Sequence, residues 1–180
     1  MFFETNIWKG GYWMEDFEQL YCLYSKQLFK YLLYISGDKH LAEELLQETY
    51  YQALKSIFRF KGESKVLTWL YQISKNVYLK HLSKVRKEHL ISMDETKNSR
   101  SQNTPDVIIE ERENNINLIK ALHKLKEQSR EIIFLRSFEE LSFREIGDVF
   151  NQSEGWARTN FYRAKLQLKD FLLNDSEGVL

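Results

Sequence analysis

The stretch SFREIGDVFNQSEGWARTNFYRAKLQLKDFL, residues 142–172, decides the fold of the C-terminal part of this chain. Ser142 and Glu145 form an S-x-x-E capping box, which is the sequence signature of a helix N-terminus. A short amphipathic helix is predicted to follow, since apolar residues recur at intervals of three and four until residues 151–152 interrupt them. Ser153 is placed to cap a second helix. The pattern therefore predicts two helices joined by a tight turn, which is the geometry of a helix-turn-helix.

The second of these helices has one apolar face and one basic face. Ala157, Phe161, Ala164 and Leu168 follow helical spacing, and the polar and basic residues lie between them. A basic outer face on the second helix is suited to contact base edges and phosphates in a major groove. We therefore predict that this segment binds DNA.

Composition favours an all-helical protein. The 180 residues include one proline and seven glycines, little turn material for an all-β fold, and 43% are hydrophobic, which is enough for packed cores. No apolar run reaches the ~20 residues that span a bilayer, and no signal-peptide pattern opens the chain. The single cysteine, Cys22, lies among apolar residues and is expected to pack as a small hydrophobe in a reducing compartment. We expect a cytoplasmic protein with no membrane insertion of its own.

The formal net charge is zero, but the charges are segregated along the chain. Residues 55–88 carry nine basic and two acidic side chains, whereas residues 14–48 carry seven acidic and three basic ones. Such segregation predicts one surface for nucleic acid and another for a different partner. Aromatic residues are interleaved with the cations in residues 55–88, as in proteins whose rings stack on unpaired bases.

Apolar periodicity predicts a block of three helices from about residue 16 to residue 87. The first helix ends at Gly37 and Asp38, because glycine marks a helix end, and the second begins near Asp38. The third helix follows a polar loop at residues 60–65.

A linker separates this block from a second helical block. Residues 89–106 are rich in polar residues, contain the only proline and show no apolar period, which predicts a flexible linker. The predicted fold class is all-α, with two small helical domains at residues 14–88 and 107–180, the C-terminal one a helix-turn-helix. Residues 1–13 fit no helix, and we hypothesise that they are an extension that is untranslated in the cell or disordered, with Met14 as the natural start.

Three segments of the chain match the motifs of a known family in the order in which that family has them. They are LAEELLQETYYQALK at residues 41–55, FKGESKVLTWLYQISKNV at residues 60–77, and the helix-turn-helix at residues 142–165. The first resembles the core-polymerase-binding helix of bacterial sigma factors of the extracytoplasmic-function group, in the sigma-70 family. The second, with the basic helix that continues it, resembles their promoter-melting segment, and the third resembles their second conserved domain.

The resemblance implies an alternative sigma factor that binds core RNA polymerase and directs transcription from specific promoters. Its region 2, at residues 14–88, would grip the polymerase clamp and melt the minus-ten element, and its region 4, at residues 107–180, would read the upstream element. An anti-sigma factor is also implied as a partner. The residues carried over are Glu44, Gln47 and Glu48 for core polymerase; Phe60, Gly62, Glu63, Ser64, Asn76, Tyr78, Lys80 and Lys84 for minus-ten DNA; and Ser153, Trp156, Arg158, Thr159, Tyr162, Arg163 and Lys165 for upstream-element DNA.

Three other functions remain compatible with parts of the sequence. A stand-alone helix-turn-helix regulator would account for residues 142–172 but not for the basic, aromatic block at residues 55–88. An enzyme would need chemistry that the pattern lacks, since the histidines show no metal-ligand spacing and no phosphate loop or nucleophile motif is present. We therefore expect no catalytic residue, cofactor or metal. A helical scaffold without DNA binding would leave the charge segregation unexplained, and a steep fall of DNA affinity with salt would exclude it.

Overall fold

The structure, a computed structural model, describes residues 13–91 and 114–176, and every regular element in those two stretches is a helix. The chain divides into two compact units, Met1–Pro105 and Asp106–Leu180. The all-α class and the two helical domains are confirmed. The first unit holds α1 (Trp13–Ser36), α2 (Lys39–Ser56), a 3₁₀ turn (Ile57–Arg59) and α3 (Val66–Ile91); the second holds α4 (Asn114–Lys124), α5 (Glu127–Ser137), α6 (Phe143–Phe150) and α7 (Glu154–Ser176).

Between residues 13 and 91 and between 114 and 176, no helix has the length and apolar character that crossing a membrane requires.

The break between α1 and α2 is fixed by two adjacent residues. Gly37 has a φ of 72°, a conformation that glycine adopts readily, and its N–H donates to the carbonyl of Leu33. Asp38 caps α2, since its Oδ1 accepts a hydrogen bond from the N–H of Leu41 at 2.8 Å. The predicted end of the first helix and start of the second are confirmed.

The core of the first unit is built from large side chains of α1 and α3. Leu28, Tyr31 and Leu32 of α1 and Leu70 and Tyr71 of α3 are fully buried. The rings of Tyr31 and Tyr71 meet edge to face, with their centroids 5.1 Å apart. Burying a side chain of this size contributes about 1.5–3 kcal/mol. Because α2 contacts both other helices, the three form one packed bundle.

Tyr50 ties α2 to α1. Its hydroxyl donates to the carbonyl of Leu20 at 3.3 Å, and its ring lies 5.8 Å from that of Phe17 and 4.8 Å from that of Tyr21. Burial raises the pKa of the Tyr50 phenol above its usual value. The phenol therefore stays neutral and keeps its bond to α1 throughout the neutral pH range.

Two features of the first unit differ from the sequence-based expectations. Cys22 is exposed, because it lies two residues after the buried Leu20, and residues two apart point to nearly opposite sides of a helix. Helix α3 continues to Ile91, so it includes the first three residues of the predicted linker at 89–106. The rest of that linker and residues 1–12 of the predicted extension lie outside the described residues, and Trp13, the last residue of that extension, is the first residue of α1.

In the second unit, α6 and α7 form the predicted helix-turn-helix. The Oγ of Ser142 accepts from the N–H of Glu145 at 3.2 Å, and the Oε2 of Glu145 accepts from the N–H of Ser142 at 2.7 Å, so both halves of the capping box are present. Asn151 ends α6 in the left-handed conformation. The Oγ of Ser153 accepts from the N–H of Trp156 at 3.1 Å and caps α7.

Helix α7 packs on the unit through small residues. Ala157 and Ala164 are fully buried, and the larger Phe161 and Leu168 cover the edges of the same core. This is the apolar face that the sequence predicted, and it fixes which side of α7 remains in contact with solvent.

Gly147 allows the turn to approach α6 closely. A Cβ at this position would lie 2.7 Å from the carbonyl oxygen of Gln152 and 3.1 Å from the carbonyl group of Ser153. The N–H of Gln152 also donates to the carbonyl of Gly147 at 2.8 Å. Since the obstructing atoms are backbone, they cannot rotate aside, and a larger residue here requires the turn to shift.

Replacing Gly147 with valine is expected to destabilise the second unit by about 1–3 kcal/mol, because the new side chain meets the backbone of the turn. The matched control is Gly155→Val, since a Cβ at Gly155 would meet only the Ser153 hydroxyl, at 3.9 Å, and exposed substitutions change stability by about 0.5 kcal/mol. Amide hydrogen exchange of peptides from α6 and α7, in the full chain, measures the stability of the second unit in both variants. Equal protection in the two variants would contradict this explanation.

Candidate interfaces for nucleic acid and protein

The three residues predicted to bind core polymerase lie on the solvent side of α2. Glu44, Gln47 and Glu48 are all exposed, whereas Leu45 on the same helix is buried. The Oε1 of Glu48 accepts from the Nε2 of Gln52 at 2.7 Å, one turn further along. Such exposed pairs within a helix contribute only about 0.2–0.5 kcal/mol, so a partner can replace this bond at little cost.

Helices α2 and α3 enclose a groove of about 900 Å³ whose two walls carry opposite charges. Glu44 and Glu48 line it from α2, and Asn76, Lys80 and Lys84 line it from α3. The structure thus brings together residues that the sequence assigned to two different partners, the polymerase and the minus-ten DNA.

The polar side of α3 carries an asparagine and two lysines at helical spacing. Asn76, Lys80 and Lys84 are four residues apart and exposed, so they form one row along the helix. The Nζ of Lys84 lies 3.8 Å from the Oε1 of Glu88. An ion pair this exposed contributes little, about 0–1 kcal/mol, and the row is suited to follow a phosphate backbone.

Tyr78, one of the predicted minus-ten contacts, lies on the core side of α3. Its side chain is 9% exposed and lies on the same side of α3 as the buried Tyr71 and Ser74. Although Tyr78 stands between Asn76 and Lys80 in the sequence, its ring belongs to the core. In the structure the ring is therefore a packing residue, and its contact with minus-ten DNA stays a prediction.

The loop before α3 presents an aromatic pair beside a glycine with positive φ. Phe60 is half-buried, and its ring is tilted against that of Trp69 with centroids 4.9 Å apart. Gly62 has a φ of 71° and open space where a Cβ would lie, so its backbone conformation, not crowding, favours glycine. Glu63 is exposed and Ser64 is half-buried. A half-exposed ring supported by a second ring is suited to stack on an unpaired base.

Phe58 is one of the aromatic residues interleaved with the cations of residues 55–88, but it was not among the predicted DNA contacts. It lies in the 3₁₀ turn, two residues before Phe60, and is 79% exposed. Its neighbour Ile57 is buried, so a one-residue offset from the apolar stripe was the signal that Phe58 faces solvent. It enlarges the aromatic surface at this end of the unit.

Helix α7 presents the polar face that the sequence predicted. Arg158, Thr159, Tyr162, Arg163 and Lys165 are all exposed, on the side away from the buried alanines of the helix. Side chains with this spacing share one broad face of the helix. The face combines cations, a hydroxyl and an aromatic ring, and is suited to contact both phosphates and base edges.

Ser153 and Trp156, also assigned to DNA, contribute to the fold of the same helix. The Ser153 hydroxyl caps α7, and the half-buried ring of Trp156 packs against Phe150 with centroids 5.2 Å apart. Asn160 donates from its Nδ2 to the carbonyl of Trp156 at 2.9 Å. The start of α7 is therefore held in place by side chains that also form its outer surface.

Arg158 is held from two directions. Its Nη2 donates to the Oε1 of Glu154 at 2.6 Å, and its guanidinium carbon lies 5.5 Å from the centroid of the Phe143 ring. Arg136 of α5 lies over the same ring at 5.0 Å.

The sequence pattern placed Phe143 only in the apolar stripe of α6. Its position directly after the capping serine predicts only that it lies at the start of α6; its proximity to α7 is seen in the structure alone.

Comparison with known proteins identifies both units. A family model described as Sigma-70 region 2 matches residues 20–88, and one described as Sigma-70, region 4 matches residues 116–168. The chain is 32% identical over 152 residues to the ECF RNA polymerase sigma factor SigM of Bacillus subtilis (strain 168), covering 84% of this chain and 92% of SigM. It is 28% identical over 165 residues to the RNA polymerase sigma factor YlaC of the same organism, covering 91% of this chain and 95% of YlaC.

A solved structure has a similar fold. It is the sigma factor RpoE from Bartonella quintana, crystallised in complex with the anti-sigma factor NepR. The TM-score is 0.69 at 23% identity, and the match covers 88% of this chain and 97% of that chain. At this identity the likeness concerns the fold alone.

Proposed function

The chain belongs to the extracytoplasmic-function (ECF) group of RNA polymerase sigma factors, in the sigma-70 family, and we propose which of its surfaces carry each step of that function. It is an alternative sigma factor, which binds core RNA polymerase and directs initiation from specific promoters. We propose that region 2 occupies residues 14–88 and region 4 residues 107–180, with a linker between them.

The observation that carries the proposal is that each unit has an exposed basic surface suited to contact nucleic acid. The first is the row of cations on α3 with the aromatic loop before it, and the second is the polar face of α7. A stand-alone helix-turn-helix regulator needs only the second, so that alternative is not favoured.

We assign the acidic face of α2 to the polymerase clamp. Glu44, Gln47 and Glu48 are exposed on that face, and exposed carboxylates attract a basic partner and fix its register. The net positive charge of residues 55–88 would instead attract DNA. The polymerase and the DNA would then bind oppositely charged surfaces of the same small unit.

We assign promoter melting to the loop before α3 and to the basic row of that helix. Extruding a base costs a few kcal/mol of unstacking, and stacking on an aromatic side chain returns about 1–3 kcal/mol. The Phe60 ring, backed by Trp69, is the proposed stacking surface, with Gly62, Glu63 and Ser64 shaping the pocket around it. Lys80 and Lys84 would neutralise phosphates beside the opened strand.

We assign the upstream element to α7, placed in the major groove. Arginine can make a bidentate contact with guanine, worth about 1–3 kcal/mol of discrimination, and Arg158 is the first candidate for it. Thr159, Tyr162, Arg163 and Lys165 lie on the same face and would contact neighbouring bases and phosphates.

We propose no catalytic role for any residue of this chain, since the polymerase performs the chemistry and the sigma factor supplies the promoter address. The place of action would be the cytoplasm, where the polymerase meets the chromosome.

We also propose an anti-sigma factor as a regulatory partner. The groove between α2 and α3 carries Glu44 and Glu48 on one wall and Lys80 and Lys84 on the other. One helix of a partner lying there would cover polymerase-binding and DNA-binding side chains together. Such a partner should abolish core binding and promoter opening at the same concentration.

Run-off transcription tests the proposed function directly. The full chain, bacterial core polymerase and a library of linear promoter fragments from the source genome are expected to give transcripts from a discrete set of sites. Core-dependent transcripts would support the proposal and identify the promoter. Specific duplex binding without polymerase, and no transcripts, would favour the stand-alone regulator; neither activity would leave only the helical scaffold.

Glu44→Lys is expected to weaken core-polymerase binding about tenfold or more, because a charge reversal places like charges against each other across the interface. The matched control is Glu43→Lys, an exposed residue of the same helix that does not line the groove. Affinity for core polymerase is measured with the full chain by surface capture. Equal losses in the two variants would contradict the assignment of this face.

Lys84→Ala is expected to weaken promoter binding of the complex with core polymerase almost equally for all sequences. The slope of log K against log salt should fall by about 0.7–0.9 for one lost phosphate contact. The control is Lys30→Ala, which removes the same charge from an exposed site on α1. If the salt slope of Lys84→Ala equals that of the control, α3 does not follow the phosphate backbone at this position.

A further inference from the structure

The Phe143 ring stands at the centre of a cluster that joins three helices of the second unit. It is the first residue of α6, and its centroid lies 5.0 Å from the guanidinium carbon of Arg136 in α5 and 5.5 Å from that of Arg158 in α7. Its ring is also 5.5 Å from that of Phe161 and 6.2 Å from that of Tyr162. Two residues assigned to DNA, Arg158 and Tyr162, are therefore in contact with one side chain that is itself outside the assigned set.

The Phe143 ring is held in place by its backbone and by a neighbouring ring. Its backbone follows Ser142, whose capping box with Glu145 fixes the start of α6. On the inner side, Phe161 belongs to the partly buried rim of the core cluster of α4, α5 and α7. A ring held at its backbone and at one edge forms a fixed surface for the groups that lie against it.

The guanidinium of Arg158 lies between this surface and a carboxylate. Its Nη2 donates to the Oε1 of Glu154 at 2.6 Å, and the two side chains are 57% and 49% exposed. An arginine side chain has many rotamers, and a group ordered before binding loses less entropy on binding. The contacts with the carboxylate and the ring favour the orientation in which α7 presents Arg158 to the outside.

We infer that Phe143 is a positioning residue for DNA specificity: its ring holds Arg158, and with it Tyr162, in the orientation that reads the upstream element. This inference rests on the proposed assignment of α7 to that element. Phe143 need not touch a base itself. It acts by narrowing the directions in which the guanidinium can donate, and a bidentate contact is sensitive to direction.

Arg136 gives the arrangement its second restraint. Its Nη1 donates to the carbonyl of Leu141 at 2.8 Å, so its guanidinium is fixed beside the ring from the α5 side. Two cations near one ring repel each other, and the Glu154 carboxylate offsets that repulsion on the side of Arg158. The ring therefore attracts both cations, which favours their lying against it despite their like charge.

The test compares variants that keep or remove the ring, in the full chain bound to core polymerase. Phe143→Leu removes the ring but stays apolar, and Phe143→Tyr keeps the ring. The matched control is Phe138→Leu, which removes a ring that is 45% exposed and stacked on Phe134 at the end of α5. The readout is the ratio of the dissociation constants for the preferred upstream element and for its single-base variants, and Arg158→Ala sets the ratio without the arginine.

The expected result is a two- to fivefold loss of that ratio in Phe143→Leu, about the equilibrium effect of one cation–π contact. Phe143→Tyr should restore the ratio, and Phe138→Leu should leave it unchanged. In an Arg158→Ala background, Phe143→Leu should cause no further loss at the base that Arg158 reads. Equal weakening for all sequences, with the ratio unchanged, would show that the ring serves packing only and would overturn the inference.

Two further outcomes are separated by the same measurements. If the unmodified chain shows no preference among upstream elements, the assignment of α7 fails before any variant is compared. If Phe143→Leu loses amide protection in α6 and α7, Phe143→Met replaces it, and loss of protection in both variants would make the ring a folding element and overturn the inference.

Discussion

The geometry of the C-terminal unit depends on residue 147 being a glycine, which has no Cβ. Because Gly147 has none, the carbonyl of Gln152 can approach to the distance at which a side chain would clash. The turn is therefore tight enough for Asn151 to end α6 and Ser153 to begin α7 two residues later. The direction in which α7 leaves the turn follows from this backbone contact. Its alanines then pack inward, and its polar face stays in contact with solvent.

The sequence predicted the features that depend on a few neighbouring residues, and it missed those that depend on contacts between helices. Helix ends at Gly37 and Asp38 and the capping box at Ser142 are local, because each is decided by hydrogen bonds within about four residues. Helical register could have shown that Tyr78 is buried, since it shares a side of α3 with the buried Tyr71 and Ser74. No sequence signal shows that a ring on α6 meets an arginine on α7, or how Phe60 is tilted against Trp69. The residue-level assignments to polymerase and DNA remain predictions, since they rest on the resemblance and on exposure.

A net charge of zero conceals two strong local charges in the first unit. The carboxylates of α2 and the lysines of α3 face one groove, yet they are exposed, so their mutual attraction in water is weak. Each wall can therefore pair with an external partner of opposite charge at little cost to the fold. An arrangement of this kind suits a protein that must bind a basic protein surface and a polyanion with a single small domain, because neither partner has to displace a strong internal ion pair.

The restraint on Arg158 illustrates how specificity can arise from side chains that do not touch DNA. A guanidinium has five N–H donors, and Glu154 uses one of them, so enough remain for a bidentate contact with guanine. In the free protein the ion pair with Glu154 is half-exposed and contributes little. When DNA covers α7 and excludes water, both the carboxylate and the Phe143 ring act on the guanidinium at a lower effective dielectric constant. The restraint therefore strengthens at the moment of recognition, and a base that cannot accept the arginine in its held direction leaves buried donors unpaired. Discrimination against the wrong base thus depends on the rigidity of the residues behind the arginine as well as on the arginine itself.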